Sequence, residues 1–318
     1  MVKLIVMIPA YNEESHIGLV IKEIPRKIAG IDKIEILVID DGSSDKTTEI
    51  AKNSGADHII VNTKNSGLAF TFQKGMDYAL SLGADIIVNT DADFQYNQKQ
   101  IPNLVKPILS GKADIVSGNR QVNDLNHMTF AKKYGNILGT KVVSKAAGYN
   151  IKDASSGFRA YSKEAALKLF VTSTHTYTHD TLIQASRKNL KVIEVPVDFR
   201  KREGDSKLIK SVSSHVRKSM ETIVRNTLMY NSMRTMGTIG AILIILGIIP
   251  IIRWFILTYI VHAGGAYIQS VILGMMLVVF GGLVISIGFL SDLVAINRKY
   301  LEEILYKVKK GRSWGWRF

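Results

Sequence analysis

Between Thr235 and Ser291 the chain runs for 57 residues with one Arg, Arg253, and no Lys, Asp or Glu. A stretch so apolar must be buried in protein or in lipid. It divides at His262-Ala-Gly-Gly-Ala266 into two segments, 237–261 and 267–291. Each is longer than the roughly 20 residues that cross a bilayer core of about 30 Å. The spacing predicts a two-helix transmembrane hairpin over 235–291 with a tight turn, two buried core helices being the alternative. Arg253 and Trp254 fall toward the turn, where an Arg snorkels outward or faces a neighbouring subunit and a Trp anchors at the interface. Gly281-Gly282, Ser286 and Gly288 offer small surfaces for close helix packing, so a homo-oligomer through these helices is expected.

The flanks are basic. In 207–234, Leu208, Ile209, Val212, Val216, Met220, Ile223, Val224 and Leu228 recur at helical spacing among Lys210, Arg217, Lys218 and Arg225. This predicts an amphipathic interface helix that lies in the headgroup layer or packs on the preceding domain. The tail, 292–318, repeats the pattern through Leu293, Ile296, Tyr300, Leu301, Ile304, Leu305 and Val308, and closes on Trp314 and Trp316. Residues 199–234 carry nine Lys/Arg against three Asp/Glu, and 292–318 carry seven against three. The positive-inside rule then makes both ends cytoplasmic, in a cell-membrane protein with two spans. A formal net charge of +14 suits phosphorylated substrates, an anionic membrane surface or nucleic acid. With two spans in the chain, a lipid bilayer is the expected partner and nucleic acid is not. The chain has no cysteine, which removes disulfides, thiolate zinc sites and cysteine nucleophiles.

The first 206 residues read differently. Apolar runs at 3–8, 35–39, 58–61, 86–89 and 114–117 alternate with helical spacing, as at Ile17, Val20, Ile21 and Ile24. Such alternation, in units of about 25–30 residues, predicts a mostly parallel sheet in an α/β layered fold. Pro9 is expected to end the first strand. Ser44 or Asp45 is placed to cap the helix after the second, and Gly55 to close it.

Three of these strands end in acids: Glu13 and Glu14 after the first, Asp40 and Asp41 after the second, and Asp91 and Asp93 after the fourth. In open α/β sheets, ligands bind outside the carboxyl ends of the strands. Asp91-Ala92-Asp93 at that edge offers hard oxygens to Mg²⁺ or Mn²⁺, and a diphosphate completes the coordination. The competing reading is that both aspartates cap the helix that follows. Neither G-x-x-x-x-G-K-[ST] nor a G-x-G-x-x-G after the first strand is present, which disfavours a P-loop NTPase and a nicotinamide dehydrogenase. The acidic strand ends favour a metal-bridged nucleotide-sugar instead.

Five motifs occur in order: Pro9-Ala-Tyr-Asn-Glu13, Asp40-Asp-Gly-Ser43, Asp91-Ala-Asp93-x-Gln95, Ser156-Gly-Phe-Arg159 and Arg202-Glu-Gly-Asp-Ser206-Lys207. Together they resemble the family 2 glycosyltransferases of GT-A fold, in the branch of dolichol-phosphate mannose synthase and polyprenyl-phosphate glycosyltransferases. The resemblance implies a Rossmann-like GT-A domain over 1–206. It implies that Pro9, Tyr11 and Glu13 line the nucleotide pocket, with Ala92 and Arg120 beside the donor, and that Asp40 or Asp41 bonds the base or ribose. It implies that Asp91, Asp93 and Gln95 bind the metal and that Asp93, Arg202 and Lys207 carry the catalysis. The chain departs from the family at Phe94 and Tyr96, where Gly and His are usual, and at Leu68.

The implied reaction moves one sugar from a nucleotide-sugar, GDP-mannose or a UDP-hexose, to a dolichyl or polyprenyl phosphate. Arg120, Arg159, Arg202, Ser206 and Lys207 are then candidates to hold the acceptor phosphate, since guanidinium groups pair bidentately with phosphate oxygens. Such a phosphate is ionised near neutral pH and needs positioning more than a general base. His175 and His179 flank this region as a metal pair, a base or simply a polar helix start. Asp180 beside them matches the family's acceptor-site carboxylate. Gln-x-x-Arg-Trp, the mark of processive synthases in the same superfamily, is absent. A glycolipid or diacylglycerol acceptor and a non-catalytic nucleotide-binding scaffold are the rival readings.

Overall fold

The computed structural model describes residues 1–122, 130–171, 176–201, 212–261 and 268–313, except the side chains of 130–132, 138, 146, 212–231 and 312–313. The chain forms two compact units, one of 1–223 with 304–318 and one of 224–303.

In the first unit the strands are β1 (Lys3–Ala10), β2 (Lys33–Asp40), β3 (His58–Val61), β4 (Ile86–Asn89), β5 (Ile115–Asn119), β6 (Arg159–Ser162) and β7 (Val192–Pro196). Between them run α1 (Ile17–Glu23), α2 (Thr47–Asn53), α3 (Leu68–Ser81), α4 (Ile101–Leu109), α5 (Phe130–Ala147), α6 (Lys163–Lys168) and α7 (Tyr177–Arg187). The sheet order is β3-β2-β1-β4-β6-β5-β7. All pairs are parallel except the two made by β6, which is antiparallel to β4 and β5.

The period of two along β1 explains why it is apolar throughout. Leu4, Val6 and Ile8 pack against Ile17, Val20 and Ile21 of α1 and Leu104 and Val105 of α4. Ile5 and Met7 point the other way, to Phe72, Met76 and Leu80 of α3. A strand with helices on both faces has no solvent side on which to place polar residues.

Pro9 does not stop β1 as expected. The strand continues to Ala10, in register with Asp40, and the Ala10 carbonyl still accepts the Asp41 N–H at 2.8 Å. Proline removes only its own donor. The cap expected at Ser44 or Asp45 falls on Lys46, which offers no capping side chain, while the Asp45 carboxylate beside it accepts the Thr47 N–H at 3.0 Å. β6 and β7 are the two strands that periodicity did not indicate; Arg159 heads β6, and only four residues compose it.

The last ten described residues belong with this unit. The Tyr306 hydroxyl donates to Glu164 at 3.2 Å, and the Lys309 ammonium pairs with Asp77 at 2.7 Å and lies 5.6 Å from the Phe170 ring centroid. This segment thus packs on α3 and α6.

The second unit is built from the parts within 224–303 of α8 (Val212–Phe255), which ends in a π-helical turn at Ile256–Ile260, and of α9 (Ile268–Ser313). Both contain windows of mean hydropathy 2.5, and only 11% and 17% of those windows are buried, so they are not core helices of a soluble domain. Glycines set how closely they approach. A Cβ on Gly240 would lie 2.6 Å from the Gly281 carbonyl oxygen, and one on Gly274 would lie 2.6 Å from the Gly247 carbonyl oxygen. The two pairs run antiparallel at seven-residue spacing, and a Cβ on Gly288 would lie 2.7 Å from the Met236 side chain. Gly281 and Gly288 therefore pack within the chain, while Gly282 has nothing within 4 Å.

The segment boundaries at 234 and 291 fall inside helices. α8 and α9 run straight through them because no proline or helix-ending glycine interrupts the hydrogen-bond ladder there. Residues 207–211 and the turn at 262–266 lie outside the described residues.

Candidate active site

The carboxyl ends of β1, β2 and β4 lie side by side in the sheet, so their loops share one edge. Asp91 and Asp93 are half-buried in the loop after β4. Phe94 takes φ 60°, turning the chain sharply after Asp93, and the Gln95 N–H donates to Asp93 Oδ1 at 3.2 Å. The loop is held from outside by residues 199–200. The Arg200 N–H donates to the Gln95 carbonyl at 2.7 Å, the Gln95 amide Nε2 donates to the Arg200 carbonyl at 3.2 Å, and Tyr96 bridges Phe199. The Arg200 guanidinium covers the Phe94 ring at 4.4 Å and pairs with Glu23 at 2.7 Å. Glu23 sits below its ordinary value: burial raises it, but hydrogen bonds from Arg200 and the Gln98 N–H outweigh that.

Two of the three family departures, Phe94 and Tyr96, thus have tasks here. Phe94 is the platform for Arg200, and Tyr96, fully buried, accepts the Gly157 N–H at 3.0 Å. Burial pushes the Tyr96 hydroxyl well above its ordinary value, so it stays protonated.

Asp91 rests on Gly157, the glycine of the Ser156-Gly-Phe-Arg159 motif. A Cβ there would lie 2.7 Å from Asp91 Oδ1, 3.0 Å from Oδ2 and 2.8 Å from the Tyr177 hydroxyl. Asn89 at the end of β4 donates from Nδ2 to the Gly157 carbonyl at 2.7 Å and to the Tyr177 hydroxyl at 2.8 Å. Burial and the neighbouring Asp91 charge raise the Tyr177 hydroxyl well above its ordinary value.

The loops after β1 and β2 are laced together. Ser44 N–H donates to Asn12 Oδ1, Asn12 N–H to Ser43 Oγ, and Glu13 N–H to Thr47 Oγ1 at 2.8 Å. Pro9 and Glu13 are buried and Tyr11 is 37% exposed at this edge. Asp40 and Asp41, expected to bond a base or ribose, are buried at this edge, Asp40 braced by its own loop and α2 and Asp41 by the segment after β3. Asp40 accepts from the Ser43 N–H and the Thr48 hydroxyl. Asp41 accepts from the Ser66 and Gly67 N–H groups and from Asn62 Nδ2.

The basic candidates separate. Arg120 makes a bidentate pair with Asp153 at 2.7 and 2.8 Å and lies 5.1 Å from the Phe199 ring centroid. Burial pushes the Arg120 pKa down, but Asp153 more than offsets it and holds the guanidinium charged. Its charge is thus committed to a neighbour rather than open to a phosphate.

Arg159 lies deeper still. It is 0% exposed, and its guanidinium donates to the carbonyls of Thr178 and Ala154 and to Thr181 Oγ1 at 2.7–2.9 Å. Asp180 is equally buried, accepting from Gln184 Nε2 at 2.9 Å. His179 shares a hydrogen bond with Ser155 Oγ in the first turn of α7. Arg202, Ser206, Lys207 and His175 lie outside the described residues.

Among the described residues no group of three His, Asp or Glu could enclose a metal. Two carboxylates at an open sheet edge do fit Mg²⁺ or Mn²⁺, which take one or two protein carboxylates and complete their shell with substrate phosphates. Asp91 and Asp93 would be those carboxylates, and Gln95, with Nε2 committed to Arg200, has its carbonyl end to add. A cavity of about 860 Å³ along α3, lined by Phe70, Lys74, Tyr78 and Phe170, includes neither aspartate. Sequence reasoning missed Asn89, Asp153 and Tyr177; of these only Asn89, an amide closing an apolar strand, carried a local signal.

Residues 5–170 match the family model described as glycosyl transferase family 2. A dolichyl-phosphate hexose transferase of Haloferax volcanii is 31% identical over 205 residues, covering 64% of this chain and 86% of that protein. A UDP-N-acetylglucosamine–dolichyl-phosphate N-acetylglucosaminyltransferase of Methanococcus voltae is 32% identical over 213 residues, covering 60% and 83%. The fold resembles glucosyl-3-phosphoglycerate synthase of Mycobacterium tuberculosis, solved with Mn²⁺, UDP-glucose and phosphoglyceric acid, with TM-score 0.56 and 21% identity over 70% of this chain and 79% of that one.

Proposed function

The chain belongs to glycosyl transferase family 2, and from that premise we propose that it moves one sugar from a nucleotide-sugar, GDP-mannose or a UDP-hexose, to a dolichyl or polyprenyl phosphate. The observation that carries the reading is the Asp91-Ala92-Asp93 loop, braced at the carboxyl edge of the sheet in a chain that also carries two membrane-length helices. The activities named for the Haloferax volcanii and Methanococcus voltae relatives support the acceptor.

A Mg²⁺ or Mn²⁺ ion on Asp91 and Asp93 would neutralise the departing diphosphate. An oxygen of the ionised lipid phosphate forms the new bond to the anomeric carbon. The bond from that carbon to the diphosphate oxygen breaks, and the nucleoside diphosphate leaves with the electron pair. No proton has to be removed from the nucleophile, so the chain needs cations near the acceptor rather than a base. Arg202, Ser206 and Lys207 take that role, following directly on the 199–200 segment that clamps the metal loop. Arg120 and Arg159 act from behind, by fixing Asp153 and the start of α7. The basic flanks set the catalytic unit on the cytoplasmic side of the cell membrane.

The test supplies the chain in nanodiscs with dolichyl or undecaprenyl phosphate and a panel of labelled nucleotide-sugars. Transfer with one donor, abolished by EDTA and lowered at least about 100-fold in Asp93→Ala, is expected. Full metal-dependent transfer by Asp93→Ala overturns the assignment.

A further inference from the structure

Asp91 is held against a surface that has no room to spare. Gly157 is fixed at both peptide groups, its N–H by the Tyr96 hydroxyl at 3.0 Å and its carbonyl by Asn89 Nδ2 at 2.7 Å. Its Cα therefore forms a rigid floor, and both Asp91 oxygens stand within 3.0 Å of where a Cβ would be. On the same floor, 2.8 Å from that point, stands the Tyr177 hydroxyl. Its ring is stacked on Phe72 at 3.9 Å between centroids, tilted by only 9°, which leaves it little freedom to turn. Asn89 Nδ2 donates to this hydroxyl at 2.8 Å, so the Tyr177 lone pair is used and its own proton is turned away from Asn89. The Asp91 carboxylate is the anion beside it.

We infer that Gly157 and Tyr177 are positioning residues for Asp91: the glycine sets its depth and the tyrosine hydroxyl, oriented by Asn89, fixes the carboxylate in the orientation that receives the divalent ion. The inference rests on the metal reading proposed above and adds three residues to it. Partners behind a ligating carboxylate orient it and set metal affinity. Phenylalanine at 177 keeps the stack on Phe72 and removes only the hydroxyl. Gly157→Ala pushes on both the carboxylate and the Tyr177 hydroxyl.

The experiment titrates Mn²⁺ alone into the full chain in nanodiscs, reading free ion by electron paramagnetic resonance, with melting recorded without metal. Tyr177→Phe is expected to weaken Mn²⁺ binding about tenfold with an unchanged melting temperature, and saturating Mn²⁺ restores its transfer rate. Gly157→Ala weakens binding at least as much, and Asp93→Ala abolishes it. If both positioning variants bind Mn²⁺ like the natural chain while Asp93→Ala does not, the inference falls and the metal site stands. If Asp93→Ala also binds normally, both fall. A lowered melting temperature with unaltered Mn²⁺ affinity makes Tyr177 merely structural and likewise overturns the inference.

Discussion

At the scale of single residues, what decides a charged side chain's role is whether the chain has already used it. Arg159 has the sequence context of a phosphate ligand, yet its donors go to Thr178, Ala154 and Thr181 inside the unit. Arg159→Leu is expected to lower stability by about 3 kcal/mol or more in urea unfolding, because buried acceptors lose their partner. Unchanged stability with a raised KM for the lipid would return Arg159 to the acceptor site. Glu35 marks the other end of the sheet. Burial raises its pKa, but hydrogen bonds from Lys3, Lys33 and His58 bring it from 4.5 down to about 2. A depressed carboxylate stabilises the fold above its unfolded value and loses that contribution as pH falls from about 4.5 toward 2. Melting temperatures between pH 5.5 and 3 are expected to fall less steeply in Glu35→Gln than in the natural chain.

At the scale of elements, the two long helices are shaped by what is missing from them. Where Gly240 meets Gly281 and Gly247 meets Gly274, backbone approaches backbone, and any side chain would separate the pair. Gly281→Leu is expected to lower the midpoint of detergent-induced unfolding, whereas Gly282→Leu, with open space around it, leaves the midpoint in place. Equal effects would refute the pairing. The apolar periodicity that predicts these helices cannot locate their junctions with the amphipathic flanks, since a helix that leaves lipid need not stop. The same limit explains β6. Its neighbours β4 and β5 supply the pairing that makes Arg159-Ala-Tyr-Ser162 a strand, and nothing in those four residues announces it. β4, by contrast, was readable from Ile86 to Asn89 because a doubly buried strand is apolar along its whole length.

At the scale of the whole molecule, charge and hydropathy are apportioned along the chain, and this yields an orientation that experiment can check. The chain contains no cysteine, so a single introduced thiol reports one position without background. With His262→Cys in the turn between the spans, an impermeant maleimide is expected to label intact cells, while Ser54→Cys in the catalytic unit is labelled only after lysis. The reverse pattern would place the catalytic unit outside.

Hydropathy, strand-and-helix alternation and the acidic strand ends were written into the sequence, and they sufficed for the α/β layers, the two spans and the Asp91-Ala92-Asp93 edge. These properties are local: a β-branched run or a 20-residue apolar stretch has the same meaning whatever it folds against. Which charges remain for chemistry was decided only by tertiary structure. Arg120 is neutralised by Asp153, 33 residues away, Arg200 by Glu23, 177 away, and Tyr177 is oriented by Asn89, 88 away. Desolvated charges and hydroxyls take whichever partner the folded chain brings within about 3 Å, and separations of that order along a sequence carry no trace of the meeting.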